Sequence, residues 1–321
     1  MDVSVCIVNW NTKDLLRKCI RSIKDKTVAL NYEIIVVDNN SSDGSTEMLR
    51  DEFPDCKCIE SHENLGFARG NNLAARQANG RYILFLNPDT ELVTNALYGM
   101  FSFLESSAGY GATGCKLIYP DGKIQYTCAS TFPTPFRELS FLFLLNRIFP
   151  KSKSFSAREL DYWDHMDSRE VDCLSGACIM AKSELIVKLG GFDEKIFMYS
   201  EDLDLCYKIL NEGSRIYYLS TEVIMHHEGA SSRKKSSNFA PLMQKQSNYY
   251  FISKNYGDFQ AGCFRVAIFA GSLFRVLITT PLFIAASCGL VKRDMDLRHI
   301  LGKYANMLLW SIHVKKLSIP T

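Results

Sequence analysis

Along the first ninety residues, short unbroken apolar runs alternate with stretches whose apolar positions fall at helical spacing. Residues 3–8 and 34–37 are β-branched runs, each ending on a polar side chain, Asn9 and Asp38. Runs of this kind fit strands covered on both faces. Between them Leu15, Leu16, Cys19, Ile20 and Ile23 predict a helix from Thr12 to about Lys26. Strand, helix and strand in that order imply a parallel pair joined by a right-handed crossover. The pattern continues with a short strand at 57–60, a helix at 66–78 closed near Gly80, and a strand at 82–86. A further helix is expected from Leu92 to about Leu104.

Beyond residue 105 the pattern is less regular. Residues 109–114 spell Gly-x-Gly-x-x-Gly. A dinucleotide fingerprint must follow a strand and open a helix, and here the order is reversed, so the match is rejected. Pro120-Asp121-Gly122 predicts a hairpin turn between 115–119 and 123–128. From 132 to 167 prolines interrupt the periodicity while 139–148 is strongly apolar, which fits a lid, a lipid-resting lobe or a plain surface excursion. Residues 171–180 read as a bend and a buried strand, 183–189 as a short helix stopped by Gly190-Gly191, and 202–211 as a helix stopped at Gly213. Strands are expected at 215–219 and 222–225, ending at His226-His227. Residues 231–238 are polar and basic, a linker. The tail is apolar at 264–274 and again at 276–291, with Arg275 and Lys292-Arg293 as flanks. The second stretch contains Pro281 and falls short of the about 20 residues of a spanning helix. An amphipathic or re-entrant element on a membrane is expected, with Lys315-Lys316 as a second contact and a buried helix pair as the alternative.

Composition narrows the field. With 321 residues the chain can bury a substantial core. Lys+Arg of 37 against Asp+Glu of 35 gives no argument for a nucleic-acid partner. Eleven cysteines are scattered without a Cys-x-x-Cys, several inside apolar runs, which suits a reducing compartment rather than a zinc site. Met1-Asp2 leads straight into a strand, so no signal peptide is expected.

Three constellations carry candidate chemistry. Pro88 cannot continue a central strand, so Asn87-Pro88-Asp89 sets a carboxylate on a stiff corner at a strand's carboxyl end. In α/β sheets that edge is where ligands bind, and Asp89 there can ligate Mn or Mg carrying a diphosphate. An Asx-type turn with Thr90 capping a helix is the alternative. His226 could complete the metal pair, with His227 as the other candidate. Glu201 and Asp202 open a helix behind the aromatic run 197–199, and a carboxylate in such a pocket can act as general base. Asp204 is placed to orient Asp202 or to contact backbone. The third constellation is the polar rim of Asn9, Asp38, Asn40, Asn64, Gly66, Phe67 and Asn71 at the strand ends. Asp38 could accept the N3–H of a pyrimidine, and Gly66 lets backbone approach a ribose. No P-loop is present to cradle phosphates.

These segments together resemble family 2 glycosyltransferases, most closely the bacterial rhamnosyltransferase-type branch. The likeness is carried by Val8-Asn9-Trp10-Asn11, by residues 36–45 and 64–72, by Leu86-Asn87-Pro88-Asp89, by Gly190-Gly191-Phe192-Asp193-Glu194 and by residues 199–206. The resemblance implies a GT-A fold, α/β with a Rossmann-like, mostly parallel central sheet and helices on both faces, over residues 1–230. Residues 231–321 would add a helical, membrane-associated region. It implies inverting transfer from a nucleotide sugar, dTDP-rhamnose or a UDP-hexose, to a lipid-linked oligosaccharide of a surface polysaccharide, at the cytoplasmic face of the membrane. A non-catalytic membrane scaffold is the contrasting reading. By the same resemblance Asn87 stands where the family's metal motif has its first aspartate, leaving the metal contact to Asp89 with His226, and Asp202 matches the base. Asp172, Gly176 and Asp204 fall on the acceptor side, where Cys173 replaces a tryptophan often found in the family.

Overall fold

The computed structural model describes residues 1–158, 160–227, 239–288 and 296–312. It divides into two compact units, residues 1–131 with 164–232, and residues 132–163 with 233–320. The first unit begins with β1 (Val3–Asn9), α1 (Lys13–Lys26), β2 (Tyr32–Asp38), α2 (Ser45–Glu52), β3 (Lys57–Glu60), α3 (Gly66–Ala75) and β4 (Tyr82–Leu86). It continues with β5 (Thr90–Leu92), α4 (Ala96–Ser106), β6 (Tyr110–Ile118) and β7 (Ala129–Ser130). The chain then enters the second unit as α5 (Pro135–Leu142) and α6 (Leu145–Ile148). It returns as β8 (Arg169–Glu170), β9 (Cys173–Leu174), β10 (Cys178–Lys182), α7 (Ser183–Leu189), α8 (Glu201–Asn211) and β11 (Arg215–His226). Helices α9 (Phe239–Tyr256), α10 (Asp258–Ser287) and α11 (Leu297–Ile312) complete the second unit.

The central sheet runs β3-β2-β1-β4-β10-β6-β11-β5, with β8 also on β11. Its β3-β2-β1-β4 half is parallel throughout. Strand β10 is antiparallel to both β4 and β6, and β6 is parallel to β11. Both β1 and β4 are apolar and buried along almost their whole length, which requires cover on two faces. Helix α1 supplies part of that cover through Leu16, Cys19, Ile20 and Ile23. Helix α3 approaches β1 closely: a Cβ at Gly70 would lie 2.9 Å from the Val8 methyls.

Two sequence expectations need correction, and the rejected Gly-x-Gly-x-x-Gly match finds its place. Residues 92–104 are not one helix: Thr90–Leu92 pairs with β11 and the helix starts at Ala96. The Gly-x-Gly-x-x-Gly segment lies within β6 from Tyr110 onward, so its glycines serve a buried strand. Gly114 is one such case, since a Cβ there would stand 2.9 Å from the Cys178 carbonyl oxygen. The two strands at 215–219 and 222–225 are one strand with a register shift between Leu219 and Val223.

In the second unit the two apolar tail stretches, as far as Ser287, form a single helix of 30 residues that runs through Arg265, Arg275 and Pro281. Helices α5, α9 and α11 pack on it. A Cβ at Gly271 would collide with the Leu142 side chain, so glycine permits the α5–α10 approach. Phe143 and Phe274 stack at 4.7 Å, and Arg275 donates to the carbonyls of Leu142 (2.5 Å) and Phe141 (3.1 Å). Glu138 on α5 and Lys245 on α9 form a buried ion pair at 2.5 Å. Residues 132–163 group with these helices, so the division is not a single cut at residue 230. The expected linker at 231–238, Lys292-Arg293 and Lys315-Lys316 lie outside the described residues.

Candidate active site

Strand β4 stops because Pro88 has no N–H for the ladder. Asn87 keeps its own N–H on the Ala177 carbonyl at 3.1 Å, and Thr90 Oγ1 closes the turn on the Asn87 carbonyl at 2.8 Å. Strand β5 then pairs antiparallel with β11, with Thr90 opposite His226. That pairing brings together two side chains far apart in the chain: His226 Nε2 lies 3.3 Å from Asp89 Oδ1, and both residues are buried. His227 turns away to Glu91 Oε1 at 2.7 Å, as alternation along a strand requires. Of the two histidines, His226 is therefore the one beside Asp89.

One partner of this pair left no signal in the sequence. Gln125 Nε2 donates to the His226 carbonyl oxygen at 2.6 Å, which points its Oε1 at His226 Nδ1, 2.9 Å away. Oε1 can only accept, so Nδ1 carries the proton and Nε2 of the neutral ring presents its lone pair. Asn87 Nδ2 lies 3.3 Å from that nitrogen. A lone pair and a carboxylate oxygen facing each other at 3.3 Å repel unless a cation or proton lies between them. An oxygen and an imidazole nitrogen fit Mn²⁺ or Mg²⁺, Mn²⁺ being the more tolerant of nitrogen. Among the described residues no group of three or more His, Cys, Asp or Glu side chains could hold a metal, so a bound ligand would have to complete the shell.

Asp202, in the first turn of α8, is held by backbone. Its Oδ2 accepts from the Gly176 N–H at 2.9 Å and its Oδ1 from the Leu203 N–H at 2.8 Å. Gly176 adjoins Ala177, whose carbonyl holds Asn87, so residues 176–177 link the base candidate to the Asp89 corner. A Cβ at Gly176 would lie 3.4 Å from both Phe67 Cζ and Asp202 Cβ. Tyr199 and Ser200, immediately before α8, both hold φ of 67°, a left-handed conformation costly for residues with a Cβ. Burial raises the Asp202 carboxyl above the ordinary range, against the two backbone N–H bonds that lower it. Glu201 is pushed well above its ordinary value by burial first and the Asp202 charge second, and its Oε2 is buried with no hydrogen-bond partner among the described residues.

The polar rim assembles at the carboxyl ends of β1 and β2. Asn9 Nδ2 donates to Asp38 Oδ2 at 2.8 Å, and Asp38 Oδ1 accepts from the Ser41 N–H at 2.8 Å. Asn64 Oδ1 accepts from the Gly66 N–H at 3.0 Å and opens α3. Gly66 has φ of +76° and a Cβ there would meet the Phe197 carbonyl oxygen at 2.9 Å, so both conformation and space demand glycine. Asn71 Nδ2 donates to the Phe67 carbonyl at 3.1 Å while its Oδ1 is buried without a hydrogen-bond partner among the described residues. Asn40 is exposed in left-handed backbone; its neighbour Asn39 is the buried one and donates to the Gly66 carbonyl at 3.2 Å. Asn72 clamps the 190–194 loop through the Phe192 N–H (2.8 Å), the Phe192 carbonyl (2.9 Å) and Glu194 (3.0 Å). Asp204 pairs with Lys208 at 3.1 Å, and Lys208 reaches the Gly191 carbonyl at 3.0 Å, so Asp204 helps brace that loop. Asp172 lines a cavity of about 150 Å³ with Glu170, Leu210 and Arg215, near the far end of α8.

Comparison with known proteins follows this geometry. Residues 4–162 match the model of glycosyl transferase family 2. The O-antigen biosynthesis protein RfbC of Myxococcus xanthus is 29% identical over 233 residues, covering 72% of this chain but 18% of that protein. The N-acetylglucosaminyl-diphospho-decaprenol L-rhamnosyltransferase of Mycobacterium tuberculosis is 22% identical over 239 residues, covering 71% of this chain and 77% of that one. In fold, the chain is similar to a mannosyltransferase of Pyrobaculum calidifontis solved with GDP-Man and Mn²⁺. The TM-score is 0.56 at 16% identity, over 97% of this chain and 85% of that one. A GT-A sheet carrying the Asp89–His226 pair accords with these likenesses: residues 4–162 match glycosyl transferase family 2, and the chain is similar to a rhamnosyltransferase.

Proposed function

We propose that the chain is an inverting glycosyltransferase of surface polysaccharide synthesis, moving a sugar from a nucleoside diphosphate to an acceptor hydroxyl. The observation that carries this reading is that the backbone of residues 176–177 ties together two kinds of group. The Asp89–His226 pair, at 3.3 Å, suits a divalent cation, and Asp202 is tied to the adjoining residues 176–177. When bound, the cation would neutralise the diphosphate and so ease its departure. Asp89 and His226 would hold that cation. Asn9 and Asp38 are fixed by mutual hydrogen bonding where a nucleoside base would sit, and Asn39 ties the Gly66 turn to that rim. The unpartnered Asn71 Oδ1 offers a further acceptor. Asp202 takes the proton from the acceptor hydroxyl as oxygen attacks the anomeric carbon, where positive charge develops. Attack opposite the leaving diphosphate inverts the anomer.

Rhamnose as the sugar and a lipid-linked saccharide as the acceptor are supported by the likeness to the mycobacterial N-acetylglucosaminyl-diphospho-decaprenol L-rhamnosyltransferase. A lipid-linked acceptor would place the chain at the cytoplasmic membrane face. The test is a donor panel, dTDP-rhamnose and UDP-hexoses with Mn²⁺ or Mg²⁺, read as release of nucleoside diphosphate and as thermal stabilisation. Cation-dependent release of nucleoside diphosphate from one donor is expected. Release from none, with no stabilisation by any nucleotide, would overturn the reading in favour of a scaffold.

A further inference from the structure

The second unit wears its polarity inside out. One side of α10 faces outward, and Phe259, Val266, Phe269, Leu273, Leu277 and Ile284 mark it at three-, four- and seven-residue steps. Phe259 is 79% exposed, Val266 66% and Leu277 62%. At 1.5 Å per residue the stripe is roughly 40 Å long. Three polar groups in the middle of α10 point the other way, while Asp258, Gln260 and Ser287 at its ends are exposed: Ser272 and Thr279 are buried, and Arg275 gives its guanidinium to the carbonyls of Phe141 and Leu142. A surface helix in water shows the opposite arrangement. Ionisable groups turned inward beneath an apolar exterior are the pattern of proteins seated in lipid.

A second observation in the same unit points to lipid as the occupant. At α6 and the turn after it Ile148 is 62% and Phe149 49% exposed, and the Phe149 ring stands 5.4 Å from Phe155. The charged residues of segment 145–155 are Arg147, Lys151 and Lys153, with no carboxylate among them. Apolar side chains projecting between cations match an interface of acyl chains beneath anionic headgroups. By length and composition α10 could cross a membrane. However, α9 packs on it and carries Gln244, Lys245, Gln246, Lys254 and Asn255, which do not belong in hydrocarbon. Lipid is thus available to one side of α10 only.

We propose that the second unit docks on an anionic phospholipid bilayer, with α10 lying in the plane of the interface and Ile148 and Phe149 inserted. This deepens the reading of a lipid-linked acceptor, on which it rests for its purpose. The test uses the full chain in vesicle co-sedimentation, with phosphatidylcholine alone and with phosphatidylglycerol added. Wild type should bind both and bind the anionic vesicles more tightly, the excess fading with salt. Leu273→Glu with Leu277→Glu should weaken binding to both by about tenfold or more. Lys151→Glu with Lys153→Glu should remove the anionic excess alone. Transfer to a water-soluble acceptor, measured alongside, should be unchanged in both variants, which separates a failure of docking from a failure of the transfer reading. Wild-type binding by either variant, or a parallel fall in transfer, would overturn the proposal. So would a wild-type dimer that the leucine variant splits without any vesicle binding, since the occupant would then be a second copy.

Discussion

Gln125 and His226 hold each other by two hydrogen bonds, amide nitrogen to backbone carbonyl at 2.6 Å and amide oxygen to Nδ1 at 2.9 Å. The first bond fixes the orientation of the amide, and the second fixes the tautomer of the ring. Partners of this kind are worth about 10–100-fold in metal affinity where a histidine is a ligand. Gln125→Leu should therefore weaken Mn²⁺ binding by about that factor, measured by calorimetric titration with nucleoside diphosphate present. His226→Ala should weaken it further. A Gln125→Leu protein that melts normally and binds Mn²⁺ as wild type would show that the ring needs no fixing.

Glu201 is a second testable point. Its folded-state carboxyl is raised above the ordinary 4.5 by burial and by Asp202. Folding therefore favours the protonated form, and stability declines as pH rises from about 4.5 towards the raised value. Glu201→Gln removes the titration. The variant should melt a few degrees above wild type at pH 8, and the gain should vanish near pH 4. An equal difference at both values would contradict a buried, charge-opposed carboxyl.

At Gly66 the left-handed φ and the 2.9 Å approach of a Cβ to the Phe197 carbonyl act together. Gly66→Ala should cost about 1–2 kcal/mol from the backbone alone. It should also weaken nucleotide binding, because the Asn64–Gly66 turn would shift. Chemical denaturation and nucleotide titration read the two effects separately.

In the second unit Glu138→Gln leaves Lys245 buried against a neutral partner. Breaking such a pair costs about 3–5 kcal/mol. Pairing the change with Lys245→Met should recover most of the loss, since two apolar or neutral groups need no charge partner. A double variant as unstable as the single one would show that the pair is not the source of the effect.

Much of the first unit was legible from the chain alone. Strands β1 and β4 are apolar because both faces are covered, and runs of that kind are visible without knowing the neighbours. The N-terminus of α8 and the stop of α7 at Gly190 follow from local chemistry, so their boundaries were readable. The misread elements depend on distant partners. Thr90–Leu92 is a strand only because β11 lies beside it, and nothing within residues 90–104 announces that. The choice of His226 over His227 needs the register of the same pairing. Gln125 is an ordinary residue in an irregular segment, and its function follows only from where it is folded. Residues 132–163 carry weak periodicity because their partners are α9 and α10, more than a hundred residues further on.

The central claim is that Asp202 acts as base towards the acceptor hydroxyl, while Asp89 and His226 hold the donor through a cation. The most direct measurement compares Asp202→Asn with wild type for donor binding and for transfer in a single-turnover assay. The account predicts cation-dependent donor binding within about twofold of wild type. It also predicts transfer slower by about 10²–10⁴, the usual contribution of a positioned base. Substantial transfer by that variant, or loss of donor binding with it, would contradict the assignment.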